Sequence, residues 1–366
     1  NEGAETFFKG IFKLLPGELL IKEKNKDKKV IKFLNFKFTK LKDIKAAEEI
    51  SDIIKSQFLS DVPVALSLSG GIDSNIIYSI MRDNLEKKNY NIYSFHFQNY
   101  QKFNQDFATA KQNCKKYGNN LNQIEINYKD YQNNIEDVIK ILEEPLSNQG
   151  SVLNYVLAKN VTEKVIITGD GGDEIFGGYD HYRSAYILQD LSRLNLLKKF
   201  FSPKTKYKNF NRLFFNNSKE FFVSFNEGNL MKEKNNYFNN FKHMSSEELF
   251  LNHCKNYKMN DDLNDLMYLD IDTKIPNDFL RRNDNIFMHF GIEARVPYMD
   301  QNMIEKFLFL DVKTKYDNFY YNKGLLKKIF RNKFEYLKRK HGLQSPLAKW
   351  MKKELHSFIK EVLSEQ

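Results

Sequence analysis

The apolar residues of this chain follow two rhythms that take turns along the sequence. Ile44, Ala47, Ile50, Ile54 and Phe58 recur at helical spacing and predict a helix over about 43–59. Asp61-Val62-Pro63 breaks it, and the apolar run 62–68 has the length of a buried strand. Ile72, Ile76, Ile77, Ile80 and Met81 then share one face of a second helix. The exchange continues with strands expected over 91–97, 121–126 and 165–168, and helices over 108–117, 131–142 and 152–161. Gly118 is placed to cap the first of these helices. Strands alternating with helices predict an α/β fold, a parallel sheet with helices on both faces.

The two ends read differently. Residues 1–35 suggest strands joined by turns, one at Leu15-Pro16-Gly17-Glu18 and one at the charged run from Lys22 to Lys29. Residues 186–266 crowd Phe, Lys and Asn together, as in Phe200-Phe201 and Phe214-Phe215, and predict helices with variable loops. From residue 268 helices continue, with Leu325, Lys328 and Ile329 in one and Trp350 near the start of another. The C-terminal part is therefore mostly helical.

Composition narrows the class. A chain of 366 residues with 41% apolar content can bury one large core or two smaller ones. No apolar run approaches the ~18 residues of a membrane span, and the polar start Asn1-Glu2-Gly3-Ala4-Glu5 is no signal peptide. No membrane partner is expected, and the expected location is cytoplasmic. The chain opens without methionine, as a processed, trimmed or partial product would. Cys114 and Cys254 are far apart and in no metal-ligand spacing, which fits a reducing compartment and neither a disulfide scaffold nor a zinc site. The net charge of +10 raises nucleic-acid binding, but the lysines are dispersed and the longest cluster alternates with acids. The charge reads as solvated faces, with no nucleic-acid partner.

Candidate chemistry enters with two glycine-rich segments about a hundred residues apart, Ser69-Gly70-Gly71-Ile72-Asp73-Ser74 and Gly169-Asp170-Gly171-Gly172-Asp173-Glu174-Ile175-Phe176-Gly177-Gly178-Tyr179. Each follows a predicted strand and precedes a predicted helix. Such a turn gathers backbone N–H groups at the positive end of a helix, which suits a phosphate. Ligands of parallel sheets sit at the carboxyl ends of the strands, so both loops can face one pocket. Asp73 and Asp173 add two carboxylates, the usual protein share of a Mg²⁺ site beside bound phosphates. The first loop lacks the lysine of the common ATPase loop. It resembles the pyrophosphate loop of enzymes that split ATP between the α and β phosphates.

The second segment, continued by Asp180-His181-Tyr182-Arg183, resembles the signature of the asparagine synthetase family. Further blocks follow in family order: Ser60-Asp61-Val62-Pro63-Val64, Ile292-Glu293-Ala294-Arg295-Val296-Pro297-Tyr298-Met299-Asp300, and Lys338-Arg339-Lys340-His341-Gly342-Leu343 with Ser345-Pro346. Thr6-Phe7-Phe8-Lys9-Gly10-Ile11 and Leu15-Pro16-Gly17 look like the tail of the family's glutaminase domain. The resemblance implies an adenine nucleotide α-hydrolase-like fold, with residues 1–35 as the tail and linker of a glutaminase-type domain and 36–366 as the ATP-pyrophosphatase domain. It implies a carbon–nitrogen ligase that adenylates the side-chain carboxylate of aspartate and passes it to ammonia, giving asparagine, AMP and pyrophosphate. The substrates would be ATP, an acid and ammonia, with Mg²⁺ as cofactor. A homodimer is among the assemblies it allows.

The residue roles implied by the resemblance are specific. Leu68, Ser69, Gly70, Gly71, Asp73 and Ser74 would hold the pyrophosphate, with Thr168 and Gly169 of the second loop. Asp73 and Asp173 would hold Mg²⁺. Lys340 would reach the α-phosphate or the pyrophosphate, Asp170 would position or deprotonate the attacking ammonium, and Lys323, which precedes Gly324-Leu325-Leu326 as a family lysine does, is a further catalytic candidate. Ser94 and Phe95 align with the segment flanking the adenine, where Phe95 either stacks on the base or fills the core. Glu293, Arg295 and Asp300 form either a buried ion-pair network or a direct contact with substrate.

Departures keep alternatives open. His96 stands where the family usually has glycine. Asn283-Asp284-Asn285-Ile286-Phe287-Met288 lacks the usual arginine after the aspartate, Leu343 replaces phenylalanine and Lys338 replaces arginine. These lie toward the expected acid side, so a sugar acid or a β-amino acid that closes to a lactam competes with aspartate. A nucleotide-binding module without catalysis and a tRNA-modifying relative with the same loop are the further readings. The chain begins with Asn1, not the catalytic cysteine of glutamine-using members. An upstream glutaminase domain or a separate subunit would then supply ammonia for amidotransfer.

Overall fold

The charged run near the N-terminus is the turn of a hairpin. In the computed structural model, which describes residues 4, 6–33, 36–38, 45–144, 148–183, 186–187, 263–316, 322–336 and 345–364, β1 (Glu18–Ile21) and β2 (Lys29–Lys32) pair antiparallel, with Glu18 opposite Lys32 and Ile21 opposite Lys29. Charged side chains of both signs along Lys22–Lys29 keep that turn in water. The chain divides into two units. One comprises residues 41–172, 277–304 and 326–366, and the other 1–40, 173–276 and 305–325.

The first unit holds the sheet. Its elements in chain order begin with α1 (Ala46–Ser56), β3 (Val64–Ser67), α2 (Ile72–Asn84), β4 (Tyr90–Phe97), α3 (Gln105–Lys116) and β5 (Asn122–Ile126). They continue with α4 (Tyr128–Leu142), α5 (Gly150–Asn160) and β6 (Val165–Ile167). The helix α6 (Gly172–Phe176) starts at the unit's edge. In the other unit α7 (Leu263–Asp272) follows. A π-turn at Ile275–Leu280 then leads to α8 (Arg281–His289) and β7 (Glu293–Arg295) of the sheet unit. The last helices are α9 (Gln301–Phe307), α10 (Val312–Lys315), α11 (Gly324–Ile329), α12 (Leu347–Lys352) and α13 (His356–Ser364).

The five strands β3 to β7 form one sheet in the order β5-β4-β3-β6-β7, and every neighbour runs parallel. Successive strand residues point to opposite faces, yet Val64, Ala65 and Leu66 are all buried. Both faces are therefore covered, as a parallel sheet requires. On one side Ala65, Tyr93 and Ile124 join a core with Val138 of α4, Val152 and Val156 of α5, Phe287 of α8 and Trp350 of α12. α1 and α2 pack on each other and bury Ile50, Ile54, Ile76 and Ile77. The second unit buries Phe176 against Phe307, with ring centroids 5.7 Å apart, and Leu266, Met267 and Leu310 alongside.

The structure bears out the parallel sheet and the helical C-terminal part, with two differences. Helices α3, α4 and α5 start up to three residues before the periodic apolar stripe. For α4 the cause is a capping box: the Asn127 side chain accepts from the Lys129 N–H, and the Asp130 carboxylate accepts from the Asn127 N–H. Such polar starts carry no hydrophobic period. The second difference is β7, whose Glu-Ala-Arg sequence has one apolar residue and is extended only because β6 pairs with it. Residues 188–262, where helices with variable loops were expected, lie outside the described set. Among the described residues no helix is long and apolar enough to cross a membrane.

Candidate functional site

The pairing of β3 with β6 sets the site. Val64 lies opposite Val165 and Leu66 opposite Ile167, so the two strands end level with each other. The glycine loops that follow them are thus neighbours at the carboxyl edge of the sheet. The second loop seats on the first turn of α2. A Cβ on Gly169 would come 3.1 Å from the Ser74 nitrogen, and one on Gly172 would come 2.7 Å from the Asp73 carboxyl carbon and Oδ1. Side chains at either position would push the loops apart or displace the Asp73 carboxylate.

The first loop is held by its own polar groups. Gly70 has φ +92°, and a Cβ there would lie 1.8 Å from the Asp106 carbonyl oxygen, so only glycine fits against the start of α3. Ser69 Oγ lies 3.1 Å from Ser74 Oγ and accepts from the Gly71 N–H, while the Ser74 hydroxyl reaches the Gly71 carbonyl. Leu68 and Ser74 are buried, and Ser69 is exposed toward solvent. Gly71 is the N-cap of the thirteen-residue α2, whose first turn carries Asp73. The helix end with its first-turn N–H groups and the hydroxyls together suit a phosphate. The buried Tyr298 hydroxyl donates to the Asp73 carbonyl at 3.1 Å and pins that turn.

Asp170 of the second loop sits in a network of amides. Its Oδ2 accepts from the Thr168 hydroxyl at 2.9 Å and from the Asn283 amide at 2.6 Å. Asn283 Oδ1 in turn accepts from Asn154 at 2.6 Å. Thr168 and Asn283 are buried, and Asp170 is half-buried. A carboxylate so held keeps one oxygen fixed and can present the other to a substrate. Asn283 is the residue that sequence reasoning noticed only as the start of a departing block. Asn154 gave no signal at all, because a half-buried amide on a helix looks like any polar position.

The expected adenine flank and support block take definite places. Ser94 is buried in β4, next to the strand that feeds the first loop. Phe95 is half-buried on the core, its ring 5.8 Å from Phe97. His96 packs its ring against Phe107 at 4.7 Å. Arg295 donates to the carbonyls of Gln57 and Leu59 and to Glu293 Oε1, but Glu293 is exposed, so this pair is not a buried one. Asp300 accepts from the Asn302 N–H and from Gln57. Arg295 and Asp300 thus both reach Gln57, the residue that ends α1.

In the second unit Asp173 is nearly buried, and Lys323 Nζ lies 2.5 Å from its Oδ1. Lys323 has φ +56°, uncommon for a residue with a side chain, and is buried beside the carboxylate. A Cβ on Gly178 would come 1.8 Å from Asp173 Oδ1 and 2.3 Å from Lys323 Cε, so the pair occupies the space of a missing side chain. Burial, and after it the charge of Asp173, pushes the Glu174 carboxyl up to about 7. The Tyr179 hydroxyl donates to Glu174 Oε1 at 2.7 Å. Lys340 lies outside the described residues.

Asp73 in the sheet unit and Asp173 in the other unit each carry hard carboxylate oxygens of the kind Mg²⁺ takes, and each lies against a glycine of its own unit. Among the described residues no group of three or more His, Cys, Asp or Glu side chains could hold an ion. Mg²⁺ does not require such a cage, since phosphate oxygens and water complete its shell.

A parallel sheet with glycine loops at the carboxyl ends of two adjacent strands, one opening a long helix, defines an α/β phosphate-binding class. The chain belongs to the asparagine synthase family: the family model described as Asparagine synthase matches residues 45–366. A relative from Bacillus subtilis (strain 168), asparagine synthetase [glutamine-hydrolyzing] 1, is 24% identical over 369 aligned residues, covering 90% of this chain and 54% of its own length. Amidase chyE of Penicillium rubens is 28% identical over 206 residues, or 50% of this chain and 30% of its own. The chain thus spans about half the length, or less, of these curated relatives. Among solved structures, the NH3-dependent NAD synthetase of Campylobacter jejuni matches with a TM-score of 0.26 and 17% identity, over 59% of this chain and 96% of its own. A score that low adds nothing about chemistry.

Proposed function

We propose that this chain is the synthetase part of an AMP-forming amide ligase that activates the side-chain carboxylate of aspartate with ATP and transfers it to ammonia. The observation that carries the reading is the level pairing of β3 and β6, which sets the first glycine loop beside the second and seats Gly172 on the Asp73 carboxylate. Family membership supports it.

The chemistry follows from the leaving group. A carboxylate would have to expel oxide to form an amide directly. Attack of its oxygen on the α-phosphorus forms an acyl-adenylate and breaks the bond to pyrophosphate. Ammonia then attacks the acyl carbon, AMP departs, and one proton is released. N–H and O–H groups of Ser69, Gly70, Gly71 and Ser74 bind the departing pyrophosphate. Asp73 and Asp173 would hold Mg²⁺, which would supply neutralisation of the charge on the phosphates. Lys340 adds a flexible point cation on the α-phosphate or pyrophosphate. Asp170, held by Thr168 and Asn283, orients the ammonium and takes its proton. Lys323 keeps Asp173 in place. Phe95 and Ser94 flank the adenine. Ammonia comes from a glutaminase-type domain, of which residues 1–35 are the tail, or from a separate subunit.

A second substrate reading rests on the block 283–288, which departs from the family and puts Asn283 on Asp170. It keeps the adenylation and replaces aspartate by another carboxylic acid, such as a sugar acid or a lactam precursor. Product analysis with ATP, Mg²⁺, ammonium and a panel of acids tests both readings. Aspartate-dependent AMP and pyrophosphate with asparagine supports the first, and the same products with another acid supports the second. Release of ADP and phosphate in place of AMP and pyrophosphate would overturn the chemistry itself.

A further inference from the structure

Two buried asparagines connect the first glycine loop to a segment more than 200 residues away. Asn75 and Asn113 are both 0% exposed. The Asn75 amide nitrogen donates to the Gly70 carbonyl at 2.8 Å and to the Gly71 carbonyl at 2.9 Å. Asn75 Oδ1 accepts from the Asn113 amide at 2.8 Å. The same Asn113 nitrogen donates to the Glu335 carbonyl at 2.8 Å, and Asn113 Oδ1 accepts from the Glu335 N–H at 2.9 Å. Each amide has two N–H hydrogens and one oxygen, and all six groups are engaged. Turning either amide over would set nitrogen against nitrogen, so one arrangement is selected.

That selection bears on phosphate binding. A loop that binds an anion must turn its N–H groups toward it and its carbonyl oxygens away. Asn75 takes up the carbonyls of both Gly70 and Gly71, the two glycines at the turn of the loop. Asn75 in turn depends on Asn113, and Asn113 on the backbone of Glu335. Two further contacts seat that segment: the Tyr117 hydroxyl donates to the Lys333 carbonyl at 2.7 Å, and Lys116 pairs with the Glu335 side chain at 2.9 Å. The relay therefore joins α2, α3 and the segment after α11, all within the sheet unit.

We propose that Asn75 and Asn113 are positioning residues that lock the phosphate-binding shape of the first glycine loop to the backbone of Glu335. This rests on the reading of that loop as the pyrophosphate site. An asparagine pair with a merely structural role would affect stability and every ligand alike. A positioning relay affects pyrophosphate and leaves the nucleoside monophosphate alone.

The test measures calorimetric binding of inorganic pyrophosphate with Mg²⁺, and of AMP, to the full chain and its Asn75→Ala, Asn113→Asp and Asn75→Ala/Asn113→Asp variants. Asn113→Asp keeps the size of the side chain and its acceptor for the Glu335 N–H, and removes both donated bonds. Circular dichroism below the unfolding midpoint establishes that each variant is folded. The expected result is a loss of pyrophosphate affinity of about 10-fold in each single variant, with AMP affinity unchanged. The double variant should bind no more weakly than Asn75→Ala, because members of one chain are not additive. Unchanged pyrophosphate affinity in folded variants overturns the relay, as does a parallel loss of both ligands. A wild-type chain that binds AMP and no pyrophosphate overturns the reading of the loop, and the relay with it.

Discussion

Three glycines around Asp73 should respond to alanine in a graded way that separates folding from function. At Gly70 the added Cβ meets a backbone oxygen at 1.8 Å, and φ is +92°. Neither can be relieved by a side-chain rotation. Left-handed backbone costs about 1–2 kcal/mol for alanine, and forced overpacking about 1–3 kcal/mol. A loss of about 3 kcal/mol is a large part of the stability of an ordinary domain. At Gly71 the Cβ meets only Ser69 Oγ, at 3.4 Å, and φ is −68°, so stability should hardly change. At Gly172 the Cβ lies 2.7 Å from Cγ and Oδ1 of Asp73. The carboxylate can swing away by roughly 0.7 Å, and alanine at a helix start gains part of 1 kcal/mol. Stability should stay within about 1 kcal/mol of wild type while the displaced carboxylate lowers ATP-dependent pyrophosphate release by about 100-fold. Urea unfolding and a coupled pyrophosphate assay on the three variants measure both quantities. Full activity in Gly172→Ala would refute the role of Asp73 orientation. Wild-type stability in Gly70→Ala would refute the close packing of the loop on α3.

Other consequences follow from single contacts. Asn283→Ala removes the 2.6 Å bond to Asp170 and should lower kcat about 10-fold with KM for ATP unchanged; a change confined to KM would show uniform binding instead. Trp350→Ala empties a buried position whose ring lies 5.5 Å from Tyr131 and 5.9 Å from Phe97, and should cost about 3–5 kcal/mol in urea unfolding. Burial pushes the Cys114 thiol up to about 11, so little thiolate exists at about pH 8. Peptide mapping after alkylation should label Cys114 only once the chain unfolds, and labelling of the folded protein would show that α3 opens.

What was legible in the sequence was what repeats or what is sterically unusual. The continuous apolar runs at Val64–Ser67 and Val165–Ile167 marked buried strands, and the glycines after them marked loops. Chain order of strands and helices then implied a parallel sheet with those loops at its ligand edge. The partner of each strand was not legible, because the pairing of β3 with β6 depends on crossovers that no local pattern records. β7 was missed for the same reason: pairing, not propensity, extends Glu293–Arg295. Asn75, Asn113, Asn154 and Asn283 were invisible as site residues, since a polar residue on a helix ordinarily faces water. Only the packed structure shows that Asn75, Asn113 and Asn283 are buried and that all four amides are hydrogen-bonded. The lysine at 323 stood out by its neighbours in sequence, but its grip on Asp173 depends on a left-handed backbone that nothing around it predicts.

The central claim is that a carboxylate attacks the α-phosphorus of ATP at the first glycine loop. Incubating the protein with ATP, Mg²⁺, ammonium and aspartate labelled with heavy oxygen in its side-chain carboxylate tests it most directly. Mass spectrometry of the nucleotide product then reads where the label went. The account predicts one heavy oxygen in AMP, since the carboxylate oxygen stays on the phosphorus when ammonia displaces the adenylate, and no label in pyrophosphate. Turnover of aspartate with heavy oxygen in inorganic phosphate, alongside ADP, would contradict it.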